Sequence, residues 1–482
     1  FITAQMPMTQ MRGAHHMHIK KYDFDYSRRF FLEKTALGLG GAGVITSLWP
    51  EICKSGDISK AYPEELYNIE AYTKGKVKVG DTINADNIDL VQDLVDPILY
   101  QEVKQDGREF FIEATDTDIT RMYPPYYLDA TLSNQGMAGF DSNGNVVVKD
   151  TGANWIGGHP FPIPNDGNEA IANLTLSWGR HDQTIYAIPT ISLNPEGDVS
   201  YEYDFVWAEQ QCCGLTNPNI SPVRPYLPGH EDKTRFQSVW FTKPNDVKGT
   251  AFLNVWSYDQ REFPDLFGYL PAFKRVRRFP TNQRFEPLVA GMNLFLSDAW
   301  AAGDPMLTWG NYKIIERKPM LASMHHQWLP ENENWALPLV GGPKGQTYMK
   351  VGKQLIPEII IMEGEPTGFP RAPLSKRRVY LDARNTMFPQ AISYDRRGDV
   401  WKSFEPGFSY QESKDGSQKR TAADGRTEWT WSWVISNDIQ SGRVTRFHQA
   451  EQITGGWKTE IDPGRDFLEE YMTVQAMRRL GT

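Results

Sequence analysis

Bulky aromatic residues recur at every second position in several segments of this chain. The clearest segment carries four large side chains in alternation, at Trp429, Trp431, Trp433 and Ile435. Two other segments repeat the pattern, with Tyr201, Tyr203, Phe205 and Trp207 in one and Phe252, Trp256 and Tyr258 in the other. Successive side chains of a β-strand point to opposite faces, so this spacing predicts strands that share one strongly aromatic face.

Several more segments in the second half of the chain have the composition of strands. They are rich in aromatic and β-branched residues and are bounded by Gly, Pro, Asn or Asp. Helical patterns do not separate most of them, so neighbouring strands should run antiparallel. These further segments are 236–243, 273–279, 313–318, 378–384, 390–395, 400–405 and 443–449. The sequence therefore predicts one large, strongly curved antiparallel sheet.

Helical spacing is confined to a few segments outside these strands. Residues 84–105 show it, with a break at Pro97. A second helix should begin after the capping residue Asp166. A third is predicted over 466–480, where acidic residues lead and arginines follow, which is the order that the helix dipole favours.

The mature part of the chain is predicted to be one α+β domain over residues 50–482. We expect mainly helix and loop in 50–185, mainly antiparallel sheet in 186–465, and the C-terminal helix in 466–480. No internal repeat or low-complexity linker divides this stretch.

The first 49 residues have the pattern of an export leader. The pair Arg28-Arg29 precedes an uncharged, glycine-rich run from Thr35 to Trp49. That run is shorter than the roughly 20 residues that a transmembrane helix needs. The segment resembles a bacterial twin-arginine signal, which implies the twin-arginine translocase as a transient partner and the periplasm as destination. Without cleavage the protein would stay associated with the membrane. The alternative is a surface arginine pair before a buried helix.

Composition and motifs narrow the function classes. The formal net charge of −9 disfavours a nucleic-acid surface. Three cysteines cannot build a disulfide framework, and the sequence contains none of the common phosphate-binding, nucleophile-elbow or zinc-protease signatures. We name no catalytic residue, cofactor or metal site. An enzyme that uses strand-borne carboxylates remains the less favoured alternative.

A basic segment stands out on this acidic chain. Lys274, Arg275, Arg277 and Arg278 place four positive charges in five residues. Arg275, Arg277 and Arg278 are candidates for contact with an anionic lipid head group or with the acidic surface of a partner protein. The alternative is an edge strand that its charges protect from pairing with another chain.

Four motifs in order resemble a known protein family. They are Gly157–Pro164 with the sequence GGHPFPIP, Glu169-Ala170-Ile171, Arg275–Arg278, and Arg377–Asp382 with the sequence RRVYLD. Together they resemble the proteobacterial family called domain of unknown function 1329, over a stretch from about residue 80 to the C-terminus. That family looks like the outer-membrane lipoprotein-sorting carriers, the Lol carriers, in fold.

The resemblance implies an unclosed half-barrel of antiparallel strands with helices across its mouth and a hydrophobic cavity between them. It also implies a setting near envelope transporters of the resistance-nodulation-division type and outer-membrane proteins, and it supplies no catalytic residues. The aromatic strand faces are candidates to line that cavity, although each ring alone is also a candidate for ordinary core. The cavity candidates are Tyr203, Phe205, Trp207, Trp256, Trp429, Trp431 and Trp433.

Three functional hypotheses follow from the sequence. The first is a periplasmic binding or carrier protein for a lipid or another hydrophobic ligand, working with an envelope transporter. The second is a twin-arginine-exported hydrolase or oxidoreductase. The third is a structural partner of an envelope complex that has a filled core and binds no ligand.

Overall fold

The computed structural model describes residues 56–60, 62–177, 180–280, 284–287, 289–298, 304–329, 333–421 and 425–481. The predicted leader with Arg28 and Arg29 lies outside these residues. The α-helices of the described part are few and short: α1 Ile69–Thr73, α2 Pro97–Gln105, α3 Pro125–Ser133, α4 Gly167–Ser177, α5 Phe467–Tyr471 and α6 Val474–Leu480. The 3-10 helices are Ile58–Lys60, Glu64–Leu66, Ile88–Leu94, Ile119–Met122, Pro271–Phe273, Met306–Thr308 and Glu333–Trp335.

Four short strands precede residue 183, and longer strands dominate the described residues after it. The first four are short: β1 Thr82–Ile83, β2 Phe110–Glu113, β3 Ala138–Phe140 and β4 Val146–Val148. A meander of six follows: β5 Gln183–Leu193, β6 Val199–Gln211, β7 Lys233–Lys243, β8 Ala251–Ser257, β9 Asp265–Leu270 and β10 Arg275–Phe279. The rest are β11 Gly310–Ala322, β12 Met324–Gln327, β13 Leu339–Val340, β14 Tyr348–Met349, β15 Gly352–Glu365, β16 Leu374–Asp382, β17 Gln390–Asp395, β18 Val400–Tyr410, β19 Trp429–Asp438, β20 Arg443–His448 and β21 Glu460–Ile461.

Seventeen of these strands form one sheet within the described residues. Its antiparallel neighbours follow the order β11-β15-β16-β17-β18-β19-β20-β5-β6-β7-β8-β9-β10. Two pairings are parallel, β2 with β15 and β12 with β18. The terminal strands β10 and β11 are not paired with each other in the described part, so the sheet is unclosed. The predicted α+β fold with a large unclosed sheet is confirmed, and the two parallel pairings make this sheet mixed where we predicted antiparallel neighbours throughout.

The central strands of the sheet are buried on both faces. One face of β5, β6 and β7, which we call the inner face, packs into the main core together with α3 and α4; it carries Tyr186, Tyr203, Phe205 and Phe241. The other face, which we call the outer face, packs against α5 and α6; it carries Ile185, Val206 and Trp240. The C-terminal helices and the helices of the first half therefore cover opposite sides of the same strands.

The predicted C-terminal helix over 466–480 is wrong as one continuous element. The structure ends α5 at Tyr471 and begins α6 at Val474. Thr473 between them has extended backbone angles, and its side chain accepts a hydrogen bond from the amide of Ala476. This capping geometry starts a new helix and is incompatible with continuing the previous one.

The prediction that Trp429, Trp431, Trp433 and Ile435 share one face is also wrong. Trp431 pairs with Phe408 and Trp433 with the adjacent Gly407, so Ser432 is an extra residue in β19. Such a β-bulge shifts the alternation by one position. Trp429 and Trp431 lie in the core of the inner face. Trp433 and Ile435 join a separate cluster with Trp328 and Trp335.

A buried polar cluster around His181 ties the helical segment to the sheet. His181 lies 3.5 Å from a carboxylate oxygen of Glu428 and 3.4 Å from one of Asp462. Tyr126 of α3 donates a hydrogen bond to Asp462. Burial alone would lower the pKa of His181, but the two carboxylates outweigh it and raise the pKa. The stabilisation from this imidazolium is present at acidic pH and is lost as the pH rises through the folded pKa.

Replacing Gly407 by Ala should destabilise the protein. A Cβ atom at Gly407 would lie 2.1 Å from the indole ring of Trp433, which is fully buried. Overpacking of this kind costs about 1–3 kcal/mol. We expect the free energy of unfolding from urea denaturation to fall by that amount. The same substitution in a Trp433→Phe background should cost less, because the smaller ring leaves room; an equal cost in both backgrounds would contradict the contact.

Replacing Asp182 by Asn should favour the folded state increasingly as the pH rises. Burial, together with the charge of Asp462, raises the pKa of Asp182 to about 7. The folded protein thus keeps a proton that the unfolded chain loses above about pH 4. The stabilisation from this proton is complete below about pH 4 and is lost as the pH rises to about 7. Relative to the wild type, the unfolding free energy of the variant should gain roughly 1 kcal/mol or more between about pH 5 and 8.

The measurement is urea denaturation of both proteins at the two pH values. Glu65→Gln serves as a control, because Glu65 is an exposed acid in a 3-10 helix. Its difference from the wild type should stay constant between the two pH values. A constant difference for Asp182→Asn as well would show that the Asp182 proton does not contribute to folding.

Candidate ligand-binding face

Four of the seven predicted cavity residues lie together on the inner face. Tyr203 and Phe205 of β6 and Trp429 and Trp431 of β19 belong to one apolar cluster, and Trp207 packs against it. The four are buried, from 1% exposed for Phe205 to 8% for Trp431. Only β20 and β5 separate β19 from β6 in the sheet, so aromatic residues from distant parts of the sequence meet here.

The rings of this cluster are in contact with one another. The ring centroid of Trp431 is 5.1 Å from that of Tyr186 and 6.0 Å from that of Phe447, both edge-on. The ring of Phe205 lies 5.6 Å from Phe241 and 6.3 Å from Phe447. These separations are typical of packed aromatic pairs. A ligand would reach these rings only after the groups that cover them have moved.

Trp256 is found in a polar part of the sheet. Its ring on β8 lies 4.4 Å from the guanidinium carbon of Arg235 and 5.5 Å from that of Arg284. Both arginines are buried, so their contact with the ring is a desolvated cation–π interaction. The structure therefore places Trp256 with charged groups, unlike the other candidates of the inner face.

A row of polar side chains crosses neighbouring strands beside Trp256. Gln237 of β7 donates a hydrogen bond of 3.0 Å to Glu209 of β6, and Asn254 of β8 donates one of 3.2 Å to Gln237. All three residues are at most 4% exposed. Burial lowers the pKa of Arg235 to about 10, an effect that the carboxylate of Glu209 opposes.

The polar row was not among the site residues predicted from the sequence. A signal was present: Glu209 continues the alternation of Tyr203, Phe205 and Trp207 along one face of β6. The inner face therefore combines an aromatic cluster with a buried polar row. This row consists of Glu209, Gln237 and Asn254, together with the neighbouring guanidinium of Arg235.

Residues 289–298, which we call the inner loop, cover part of the inner face. Met292 and Leu294 point into the core and are 2% and 5% exposed. The hydroxyl of Tyr203 donates a hydrogen bond of 2.7 Å to the carbonyl of Ala290. The side-chain amide of Asn293 donates to the carbonyls of Ser436 and Arg443, each at 2.9 Å. Val289 also packs against the core and the ring centroid of Phe295 lies 5.8 Å from that of Trp401, so four apolar side chains and several polar contacts hold the loop in place.

A buried ion pair fixes the end of the inner loop. The ammonium group of Lys402 donates hydrogen bonds to the carbonyl of Asn293 and to the carboxylate of Asp298. Arg377 lies on the other oxygen of Asp298, at 3.4 Å. Burial lowers the pKa of Lys402, although the charge of Asp298 opposes this. Such buried charges depend on their partners, because an unpaired charge in the core is strongly destabilising.

The first family motif packs the helical segment onto the sheet. His159 lies 3.0 Å from the hydroxyl of Tyr123, which donates to the carbonyl of Arg384 after β16. Burial lowers the pKa of His159 well below its usual value, so the ring stays neutral. A Cβ atom at Gly158 would lie 2.3 Å from the backbone nitrogen of Thr131 in α3, so this approach requires glycine. We assign this motif a structural role.

The predicted head-group residues lie far from the aromatic cluster in the strand order. Arg275, Arg277 and Arg278 are exposed on β10, the last strand of the antiparallel series. Only β9 pairs with β10 in the described part of the chain.

A cleft of about 1140 Å³ lies beside the outer face. Trp240, Trp457 and Tyr471 line it together with polar residues of the C-terminal helices. None of the seven predicted cavity residues is among its lining residues. The structure thus separates this cleft from the aromatic cluster of the inner face.

The part of the chain that the structure describes lacks two other features. No group of three or more His, Cys, Asp or Glu side chains there is placed to hold a metal ion. No described helix has the length and apolar character to span a membrane.

The chain is similar to a number of solved structures, including the following three. One is named as an outer membrane lipoprotein-sorting protein domain from Vibrio parahaemolyticus, with 16% identity and a TM-score of 0.39 over 62% of this chain and 92% of that chain. A DUF1329 family protein from Desulfovibrio piger has 15% identity and a TM-score of 0.39, with the same coverage. A LolA superfamily protein from Nitrosomonas europaea has 12% identity and a TM-score of 0.33, over 59% of this chain and 91% of that chain.

The comparison with curated proteins found no match. The family model described as "Protein of unknown function (DUF1329)" matches residues 82–478, which is most of the chain. The resemblance drawn from the four sequence motifs is thereby confirmed. The chain belongs to the DUF1329 family.

Proposed function

We propose that this protein binds a lipid or another hydrophobic molecule on the inner face and carries it within the periplasm. The observation that carries the proposal is the way in which the aromatic cluster is covered. Helices and the inner loop lie over it, and the loop is held by four apolar side chains, by side-chain hydrogen bonds and by one ion-pair network. A cover of this kind can leave while the strand ladder beneath stays intact.

The energetics of an acyl chain support such binding. Each buried CH₂ group contributes about 0.8 kcal/mol, so a long acyl chain contributes on the order of 10 kcal/mol before ordering costs. In the present arrangement Met292 and Leu294 occupy space above the sheet. A ligand would replace these two side chains against Tyr203 and its aromatic neighbours. No catalytic group is needed for this exchange.

The buried polar row gives the proposed site a second chemical character. Glu209, Gln237 and Arg235 lie on the same sheet as the aromatic cluster. Hydrogen-bonding groups of this kind fix the orientation of a ligand in an otherwise apolar pocket. We infer that the ligand is amphipathic, with a chain against the rings and a polar group towards this row.

The proposal includes the cellular setting that the sequence predicts. Arg28 and Arg29, followed by the uncharged run, support export through the twin-arginine translocase. An envelope transporter of the resistance-nodulation-division type, or an outer-membrane protein, would then supply or accept the ligand. The family resemblance supports this partner class and does not identify a member of it.

Native mass spectrometry of the protein purified from the periplasm tests the proposed function. We expect a mass that exceeds that of the chain by a lipid or another apolar molecule, released by organic extraction. A bound metal or organic cofactor would instead support the exported-enzyme alternative. A bare mass would support the structural-partner alternative and contradict the carrier proposal.

Loosening the inner loop should speed ligand entry. Asn293→Ala removes two hydrogen bonds that hold the loop to the carbonyls of Ser436 and Arg443. Each bond contributes about 1 kcal/mol, so the rate of binding a fluorescent fatty acid should rise roughly thirtyfold in stopped-flow measurements. Asn219→Ala is the control, because Asn219 is exposed in a turn that follows β6, at the end of the strand opposite to Tyr203. Equal rates for both variants and the wild type would argue against entry under the inner loop.

A further inference from the structure

The hairpin of β9 and β10 exposes an aromatic ring at its tip. Pro271–Phe273 form a 3-10 turn between the two strands, and the side chain of Phe273 is 58% exposed. It is among the most exposed large apolar residues of the described chain. The guanidinium carbon of Arg277 lies 5.3 Å from the ring centroid. Phe273 therefore stands in solvent next to positive charge.

The cations of this hairpin have little local neutralisation. Arg278 pairs with Asp265 of β9. For Lys274, Arg275 and Arg277 the described residues provide no ion-pair partner within 4.0 Å, and all three side chains are exposed. Their charge is thus available for an external anion, on a chain whose formal net charge is −9.

The C-terminal helices cover the other face of this end of the sheet and carry charges of both signs, with Glu469 and Glu470 in α5 and two arginines in α6. α6 packs beside β8, β9 and β10, where Met477 joins the same apolar cluster as Val276. The next two residues of α6, Arg478 and Arg479, are exposed. By alternation along β10, Arg275 and Arg277 lie on the face opposite to Val276 and α6, so we call Phe273, Lys274, Arg275 and Arg277 the basic edge.

Protection of an edge strand explains only part of this arrangement. Charged side chains on an edge prevent pairing with another sheet, which accounts for the arginines of β10. Edge protection does not account for the exposed phenyl ring at the hairpin tip, because an exposed ring promotes association with other molecules. Cations flanking an exposed aromatic ring suit the head-group region of a bilayer, where phosphates attract the cations and aromatic rings lie at the level of the head groups.

We propose that the basic edge docks on an anionic phospholipid surface, with Phe273 inserted among the head groups. Each cation near such a surface strengthens binding severalfold, and the effect falls off within a Debye length of about 8 Å at physiological ionic strength. The arginines are close enough to the hairpin tip to act together with the ring. This inference goes beyond the proposed function, because docking requires no ligand on the inner face.

Flotation of the full chain with phosphatidylglycerol vesicles tests the docking surface, with phosphatidylcholine vesicles as the neutral comparison. We expect binding to the anionic vesicles only, weakened by added salt. The double variant R275E/R277E should bind about tenfold more weakly or worse. The matched control K76E/K78E makes the same charge change at two exposed lysines near β1, at a distant position in the sheet. We expect this control to bind like the wild type. Binding as weak as that of R275E/R277E would mean that net charge alone decides binding.

A second variant separates insertion from charge attraction. Phe273→Ser keeps every cation and should lose about threefold or more of the anionic-vesicle affinity, most clearly at high salt where charge attraction is screened. Circular dichroism melting of each variant shows that it is folded. Failure of the wild type to bind phosphatidylglycerol, or equal binding by R275E/R277E and the wild type, overturns the proposal. Equal weakening by R275E/R277E and K76E/K78E also overturns the proposal. Self-association of R275E/R277E with unchanged vesicle binding overturns it too, because that result would mean that the arginines protect the edge strand from pairing.

Discussion

Burial of both faces of the central strands is the constraint on which the rest of this structure depends. β5, β6 and β7 carry large apolar side chains on each side, so neither face can be left to solvent. The outer face is covered by the two short C-terminal helices. The inner face needs a larger cover, which α3, α4 and the inner loop provide. We propose the inner face as the ligand site because this second cover is assembled from separate pieces.

The strands predictable from sequence were those whose large aromatic residues alternate with smaller or polar residues, as in β6 and β19, although both faces of these strands are largely buried. Alternation identified β6 and β19 and turn residues bounded them, so the predicted sheet was found. β5 and β15 were missed for a physical reason. A strand buried on both faces shows a continuous apolar run, as at Ile359–Met362, and not alternation. Pro189 and Pro357 inside these strands also argued against them.

The candidate site was predictable to the extent that it depends on one strand at a time. Tyr203 and Phe205 follow from the alternation of β6. The position of Trp433 does not, because the bulge at Ser432 depends on pairing with Gly407 of another strand. The polar row does not follow from one strand either, because Glu209 belongs to it only through hydrogen bonds that link it to Gln237 and Asn254 on neighbouring strands. Pairwise geometry between distant segments is what a single sequence leaves open.

The cost of opening decides whether a buried aromatic cluster can also be a binding site. Parting the strands would break a cooperative ladder, whereas lifting residues 289–294 leaves the Asp298 ion pairs in place, exposes Val289, Met292 and Leu294, and frees a small set of polar groups. Water replaces most of the lost hydrogen bonds, so each costs only about 1 kcal/mol net, and each apolar side chain costs about 1.5–3 kcal/mol. A long acyl chain restores the same kind of apolar contact on the exposed rings. The cover is therefore the part of the molecule that the proposed hydrophobic ligand would displace, with the sheet left folded.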